Sequence, residues 1–214
     1  MSGPRLGVDV GGTFTDVVLA TDDGVTTAKV PTTESDQSEG VLAGIEAACD
    51  GAAIDPGEIT QFRHATTVAT NALLEETGAD TALVTTAGFG DVLEIGRQNR
   101  PALYDQTVRK PTPLVPAQRR FEVDERATTA GIEQPVTDDT LEGIVETIER
   151  TDAESVAVSF LHAYAHPENE QRVADALRER TAATVAPSHE TLAAFREYER
   201  TATTVAEAYL TPLI

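Results

Sequence analysis

The 214-residue chain is 40% hydrophobic but only 5% aromatic, without tryptophan, so Val, Leu, Ile and Ala must supply the core of one or two domains. Sixteen basic residues against thirty-six acidic ones give a formal net charge of −20, which repels nucleic acid and anionic membranes and argues against both as partners. With neither a run near the ~20 apolar residues of a membrane span nor a signal peptide, the reading is an acidic, cytoplasmic chain whose solvated shell suits a high-salt, halophilic interior.

Leu6–Val10 and Phe14–Ala20 are β-rich runs parted by Gly11-Gly12, a hairpin signal. Asp22-Asp23-Gly24 offers a second turn before a strand over Val25–Val30, so three antiparallel strands open the chain. Helical spacing over Ser38–Ala48 puts Val41, Leu42, Ile45 and Ala48 on one face. Cys49, the single cysteine, lies in that helical pattern and excludes an internal disulfide or a cysteine-cluster metal site. Asp55-Pro56-Gly57-Glu58 carries a helix-start signal, and Phe62–His64 a short strand. A helix over Thr67–Glu76, ended by Gly78, a buried strand over Thr81–Thr85 and a short helix over Asp91–Ile95 follow.

Between Gln98 and Gln134, Pro101, Pro111, Pro113 and Pro116, with Pro135 just beyond, make an extended, loop-rich crossing with one strand over Arg119–Val123. Thr137 then caps a helix over Leu141–Arg150, Ser155–Phe160 is a strand, and Pro167 opens a helix to Arg180. A strand over Thr184–Ala186 and one long helix over Thr191–Leu210 complete a parallel α/β unit. The expected organisation is 1–97, a crossing over 98–135, an α/β unit over 136–190 and a helix over 191–214. The apolar ending Pro212-Leu213-Ile214 suggests a chain cut from a longer polypeptide.

The string Asp9-Val10-Gly11-Gly12-Thr13-Phe14-Thr15-Asp16 has the chemistry of a phosphate loop. Adjacent glycines permit close backbone approach and positive φ, letting the N–H groups of Gly12, Thr13 and Phe14 converge on an anion, with Thr13 and Thr15 adding hydroxyls. Asp9 and Asp16 would repel phosphate but suit Mg²⁺ held through water. The plainer alternative is a decorated hairpin turn. In His64-Ala65-Thr66-Thr67-Val68-Ala69-Thr70-Asn71, His64 stands at a strand's carboxyl end and Thr66 or Thr67 opens a helix, which suits either an anion site or an ordinary cap. Arg97 and Arg100 suit either a substrate carboxylate or carbonyl, or structural ion pairs. Arg196 and Arg200, four apart, read as one helical face stabilised by ion pairs to Glu197 and Glu199. His162, His166 and His189 lack metal-ligand spacing and read as surface or capping residues.

DVGGTFTD (9–16) resembles the first phosphate motif of the actin-like ATPase superfamily. Together with HATTVATNALLE (64–75), GFGDVLEIGRQNRP (88–101) and FREYERTATTV (195–205), it makes the chain resemble the N-terminal region of the hydantoinase A/5-oxoprolinase family. The sequence departs from that family's pattern at Ala65, where glycine is usual, and at Glu207, where asparagine is frequent. The resemblance implies a mixed α/β, actin-like (ribonuclease H-like) lobe with antiparallel first strands. It further implies ATP and Mg²⁺ as cofactors and an ATP-dependent hydrolase that phosphorylates the amide oxygen of a hydantoin or 5-oxoproline before ring opening. Asp9, Asp16 and His64 would be catalytic, with the two aspartates at Mg²⁺; Gly11, Gly12, Thr13, Phe14 and Thr15 would hold phosphate; Thr66, Thr67, Asn71 and Arg97 would face substrate. Expected partners are the cyclic amide, a further C-terminal lobe and a hydantoinase B-type subunit or domain. A ketone carboxylase subunit (acetone or acetophenone type) and a non-catalytic assembly module are the alternatives. Without a second lobe, the 214 residues are expected to bind ATP weakly and to turn nothing over.

Overall fold

The computed structural model describes residues 3–33, 36–99, 102, 104–105, 107–108 and 110–213. Arg100, Pro101 and Ile214, each used above, lie outside the described residues. The fold is mixed α/β, with both antiparallel and parallel strand pairs, and the chain groups into two compact units, 1–77 and 78–214. The two units meet in sequence at Thr77 and Gly78, ahead of the strand at Thr81.

In the first unit β1 (Arg5–Val10), β2 (Phe14–Thr21), β3 (Gly24–Pro31) and β4 (Gln61–Thr66) form one sheet in the order β3-β2-β1-β4. The first three strands are antiparallel neighbours and β4 runs parallel to β1. Alternation is strict. Leu6, Val8, Val10, Val17 and Leu19 are buried against α1 (Gln37–Ala52), while Arg5, Asp9, Asp16 and Val18 face away. Helix α1 starts at Asp36, whose carboxylate accepts the Ser38 N–H at 2.9 Å. Its packed face is Gly40, Gly44, Ala48 and Cys49 with Val41 and Ile45, whereas Leu42, expected inward, is exposed. Glycine at 44 is required by closeness, since a Cβ there would lie 2.6 Å from Val17 Cγ2. Cys49 is buried as a small apolar residue, and burial pushes its thiol pKa up.

The Asp55 signal forms a capping box but only a single 3-10 turn over Pro56–Glu58. Helix α2 (Val68–Glu75) ends at Glu76, which takes the left-handed conformation at φ 55°. Gly78, expected as that stop, is small for a packing reason: a methyl there would overlap the Tyr209 ring.

The second unit is built on β5 (Thr81–Thr86), β6 (Arg120–Val123), β9 (Ser155–Ser159) and β10 (Thr184–Pro187), all parallel in the order β10-β9-β5-β6. One face packs α4 (Asp138–Glu149) and α5 (Glu168–Arg180) onto Ala82, Val84, Val156 and Val158. The other packs α7 (Glu197–Leu210), with Val115 and α3 (Val92–Ile95), onto Leu83 and Ala157. The crossing holds more structure than one strand: besides β6 it contains the hairpin β7 (Arg126–Thr128) and β8 (Gly131–Gln134), bulged between Arg126 and Ala127.

The long final helix is two helices, α6 (Ser188–Thr191) and α7, separated by 192–196. The break has a tertiary cause. Arg200, 1% exposed, sends one terminal nitrogen to Phe160 O at 2.8 Å and the other to Ala194 O at 2.7 Å, which holds Ala194 out of a helical ladder. Arg196 consequently sits at the start of α7, with its Nη1 3.9 Å from Glu199, while Arg200 forms no ion pair among the described residues. No helix among the described residues is long and apolar enough to cross a membrane.

Candidate functional site

The β1–β2 turn is built tightly. Gly11 N–H donates to Phe14 O at 3.0 Å, Thr32 Oγ1 donates to Gly11 O at 2.8 Å, and Thr32 N–H donates to Thr13 O at 3.0 Å. These bonds fix the tip and leave the N–H groups of Gly12 and Thr13 without an acceptor among the described residues. Neither Gly11 nor Gly12 adopts positive φ, contrary to expectation. What demands glycine at 11 is space, because a Cβ would meet Phe14 O at 3.0 Å.

The first turn of α2 lies against this tip. Thr67 N–H donates to Val10 O at 3.0 Å; a Cβ on Gly11 would lie 3.7 Å from Thr67 Oγ1, and one on Gly12 3.7 Å from Asn71 Nδ2. Thr66 Oγ1 donates to Val10 O at 3.3 Å and accepts the Val68 N–H at 3.3 Å. Thr67 stands at the helix start without a side-chain capping bond, so the N–H groups of Ala69 and Thr70 also have no acceptor among the described residues. Two open turn amides, two open helix amides and the Thr13 and Thr67 hydroxyls thus belong to adjoining segments, at the positive end of a helix.

The sheet register sorts the other candidates. Lys29, Asp16, Asp9 and Ala65 stand in one row across β3, β2, β1 and β4, on the face turned away from α1. Two carboxylates directly opposite one another repel at ~5 Å. Lys29 relieves this at Asp16, its Nζ lying 2.6 and 2.7 Å from the two carboxylate oxygens. Asp9 makes no hydrogen bond or ion pair among the described residues, and its β4 neighbour is the small Ala65. Asp16, expected beside Asp9 as a magnesium ligand, is therefore engaged by a lysine.

His64 pairs with Val8, so its side chain lies on the α1 face, stacked on Phe62 at 6.4 Å and opposite to Asp9 and Asp16. The expected catalytic trio is not brought together. Thr15 is fully buried on that same α1 face with its hydroxyl 3.0 Å from Thr32 Oγ1, so it holds the turn rather than offering a donor to phosphate. Phe14 is half-exposed beneath Lys29 Nζ at 5.3 Å. No group of three or more His, Cys, Asp or Glu capable of holding a metal occurs among the described residues.

Arg97 belongs to the second unit. Its Nε donates to Glu199 at 2.7 Å and its guanidinium lies 5.8 Å from the Tyr198 ring centre. The bond to Glu199 holds the arginine above its usual pKa and the glutamate below its own. Arg97 also lines a cavity of about 440 Å³ with Lys110, Tyr198 and Leu114.

Several buried polar groups escaped the sequence reading. Glu170, fully buried, accepts from Phe160 N–H at 2.7 Å, Ser188 Oγ at 2.8 Å, and His189 N–H and Nδ1 at 2.8 and 2.7 Å. That corrects His189, expected as a surface or capping residue; hydrogen bonding to Glu170 raises its pKa. One signal was present, since Glu170 falls on the 170/173/174/177 stripe of α5 with Val173, Ala174 and Leu177. Glu125, also buried, accepts from Thr86 Oγ1 at 2.5 Å and Asn169 Nδ2 at 2.8 Å, and burial pushes its pKa up.

Comparison with known proteins adds the lineage. Residues 5–181 match the family described as hydantoinase/oxoprolinase N-terminal region. The caprolactamase subunit alpha of Pseudomonas jessenii is 35% identical over 98% of this chain and 32% of its own length. The 5-oxoprolinase of Saccharomyces cerevisiae is 31% identical over 98% of this chain and 19% of its own. Among solved structures, nucleotide-free acetone carboxylase superposes with a TM-score of 0.88 at 26% identity, over 100% of this chain and 33% of that one. ATP-dependent caprolactamase from P. jessenii superposes with 0.81 at 33% identity, over 98% and 32%. The chain thus spans between about a fifth and a third of these proteins. It belongs to the hydantoinase/oxoprolinase family, whose N-terminal region it matches.

Proposed function

We propose that the chain is the phosphate-holding N-terminal part of an ATP-dependent enzyme that opens a cyclic amide ring, on an actin-like, ribonuclease H-like lobe. The observation that carries this reading is the β1–β2 tip against α2, with the unfilled amides of Gly12, Thr13, Ala69 and Thr70. The residues fit a phosphate group. Backbone donors are open, a helix N-terminus adds positive potential, and a side chain at 12 would come against Asn71, filling space beside the open amides. ATP, when bound, supplies the phosphoryl group that turns an amide oxygen into a leaving group. The chain's own share is to hold negative charge with preorganised amides, which cost no reorganisation as charge shifts. Asp9, on the face away from α1, is the residue suited to Mg²⁺ through water, while Lys29 keeps Asp16 as a neutralised neighbour. Thr13, Thr67 and Asn71 would orient the phosphate and its surroundings. His64 and Thr66 retain at most a supporting role, because His64 lies on the other face and Thr66 is bonded to Val10 and Val68.

The test is Mg-ATP hydrolysis by the complete polypeptide, stimulated by 5-oxoproline, hydantoin or caprolactam. Gly12→Val is expected to lower turnover by tenfold or more, with Tm within about 2 °C of the parent protein. Undiminished turnover overturns the phosphate assignment. A second reading, a ketone carboxylase subunit, is favoured by the superposition on acetone carboxylase; incorporation of labelled bicarbonate into a ketone would establish it in place of amide hydrolysis. Unchanged ATPase activity in Asp9→Asn would remove the magnesium role and favour an assembly module.

A further inference from the structure

The second unit contains a cavity of about 440 Å³, within the range that small organic ligands occupy. One wall is the end of α3 and the residues after it, from Leu93 to Arg97; another is the Lys110–Leu114 segment; the third is α7, through Tyr198, Ala202 and Val205. Its charge contrasts with that of the whole chain, which carries −20. Lys110 Nζ donates to the carbonyls of Glu94 and Ile95 at 3.2 and 2.5 Å, and no carboxylate forms an ion pair with it among the described residues. Backbone carbonyls position that ammonium without cancelling its charge. Arg97 spends only Nε on Glu199, so both terminal nitrogens of its fork are without an acceptor among the described residues. The one carboxylate in the lining, Glu94, already has Arg120 at 3.4 Å. The rest of the lining joins an apolar wall of Leu93, Leu114, Val205 and the Tyr198 ring to the polar Asn99 and Thr112.

A planar fork with two open donors matches the two oxygens of a carboxylate, a nearby ammonium adds charge, and the apolar wall suits a small hydrocarbon body. We infer that this cavity binds a small organic acid, with its carboxylate between Arg97 and Lys110 and its apolar body against Tyr198, Leu93 and Leu114. The site shares no residue with the phosphate turn, so it stands whether or not nucleotide binds there.

The experiment is calorimetric titration of the complete polypeptide, without nucleotide, using 5-oxoproline and its uncharged counterpart 2-pyrrolidinone as paired probes. The acid is expected to bind at least tenfold more tightly than the neutral amide. Arg97→Gln combined with Lys110→Gln should remove at least tenfold of the acid's affinity and leave that of the neutral amide unchanged, at an unaltered Tm. Tyr198→Ala should weaken the acid while leaving acetate, too small to reach the apolar wall, unaffected. Equal binding of acid and neutral amide, retained acid affinity in the double glutamine variant, or no binding of the acid at all overturns the inference. Gly12→Val supplies the separation from the phosphate reading, because acid binding should survive there while ATP turnover falls. If the acid competes with ring-opening turnover it is a substrate or product; if it binds without competing it is an effector, and either result upholds the site.

Discussion

In β2 of the first unit Val17 is fully buried while its neighbour Val18 is 44% exposed; in the second unit all six residues of β5 and all five of β9 are buried. The same kind of side chain thus does different work in the two sheets. A sheet covered on both faces needs continuous apolar strands, and its parallel pairing follows from the helices that cross over it. A sheet covered on one face frees every second position for other chemistry. The first unit uses that freedom for Arg5, Asp9, Asp16 and Lys29, while the fully buried strands β5 and β9 of the second carry no charged side chain. Burial on both sides stabilises; burial on one side leaves room for function.

The largest expected effect tests that contrast directly. Leu83→Ala in β5 should cost about 2–5 kcal/mol, because the cavity would lie between α7 and the sheet, whereas Val18→Ala should stay within about 0.5 kcal/mol. Denaturant titration of both variants decides it, and similar losses would erase the distinction between the sheets. Next in size is Gly78→Ala, where the added methyl must displace the Tyr209 ring; thermal melting should report a loss of about 1–3 kcal/mol.

A smaller, pH-dependent effect is expected at His189, whose folded pKa is raised chiefly by its hydrogen bond to Glu170, with burial opposing. A raised histidine contributes stability fully below its unfolded value near 6.5 and loses it as pH climbs through the folded value. The Tm difference between the parent protein and His189→Gln should therefore be larger near pH 6 than near pH 9; a constant difference would reduce the pair to a neutral hydrogen bond. Smallest is Asp16→Asn. Its pair with Lys29 is about half-exposed on both sides, so stability should change by about 0–1 kcal/mol. Nucleotide turnover in that variant should exceed that of Asp9→Asn, and equal loss in both would return Asp16 to the magnesium site.

Much of the first unit was legible in the chain because local chemistry decides it: turn glycines, β-rich runs and the helical spacing over Ser38–Ala48 are all near-neighbour effects. The strands β5, β9 and β10 were readable for similar reasons, as apolar runs between turn signals. What sequence could not supply was register. The parallel pairing of Val8 with His64 sends the histidine to the face opposite Asp9, and nothing within residues 60–70 announces it. The split between α6 and α7 was hidden likewise, since its agent is a guanidinium bonded to a carbonyl forty residues earlier, at Phe160. The β7–β8 hairpin escaped because Arg126–Gln134 is short, polar and bulged, with too few apolar positions to show a period. Glu125 and Glu170 were missed because acidic residues were assigned to the surface, yet both are buried with every carboxylate oxygen bonded.

The closure of Tyr209 over Gly78, together with the Ala79 N–H bond to Tyr209 O at 2.9 Å, bears on how the polypeptide is made. The strand pairings of the first unit all lie within its own 77 residues, so it can mature as soon as that stretch clears the ribosome. The second unit has its opening residues clasped by nearly its last helix turn, and at translation speeds of ~5–20 residues per second that clasp waits on the order of ten seconds. Through that interval the parallel strands emerge without the helix that covers one of their faces. Chaperone demand should accordingly concentrate on the second unit, and a stalled chain ending before residue 209 should show a protease-resistant first unit attached to a degradable remainder.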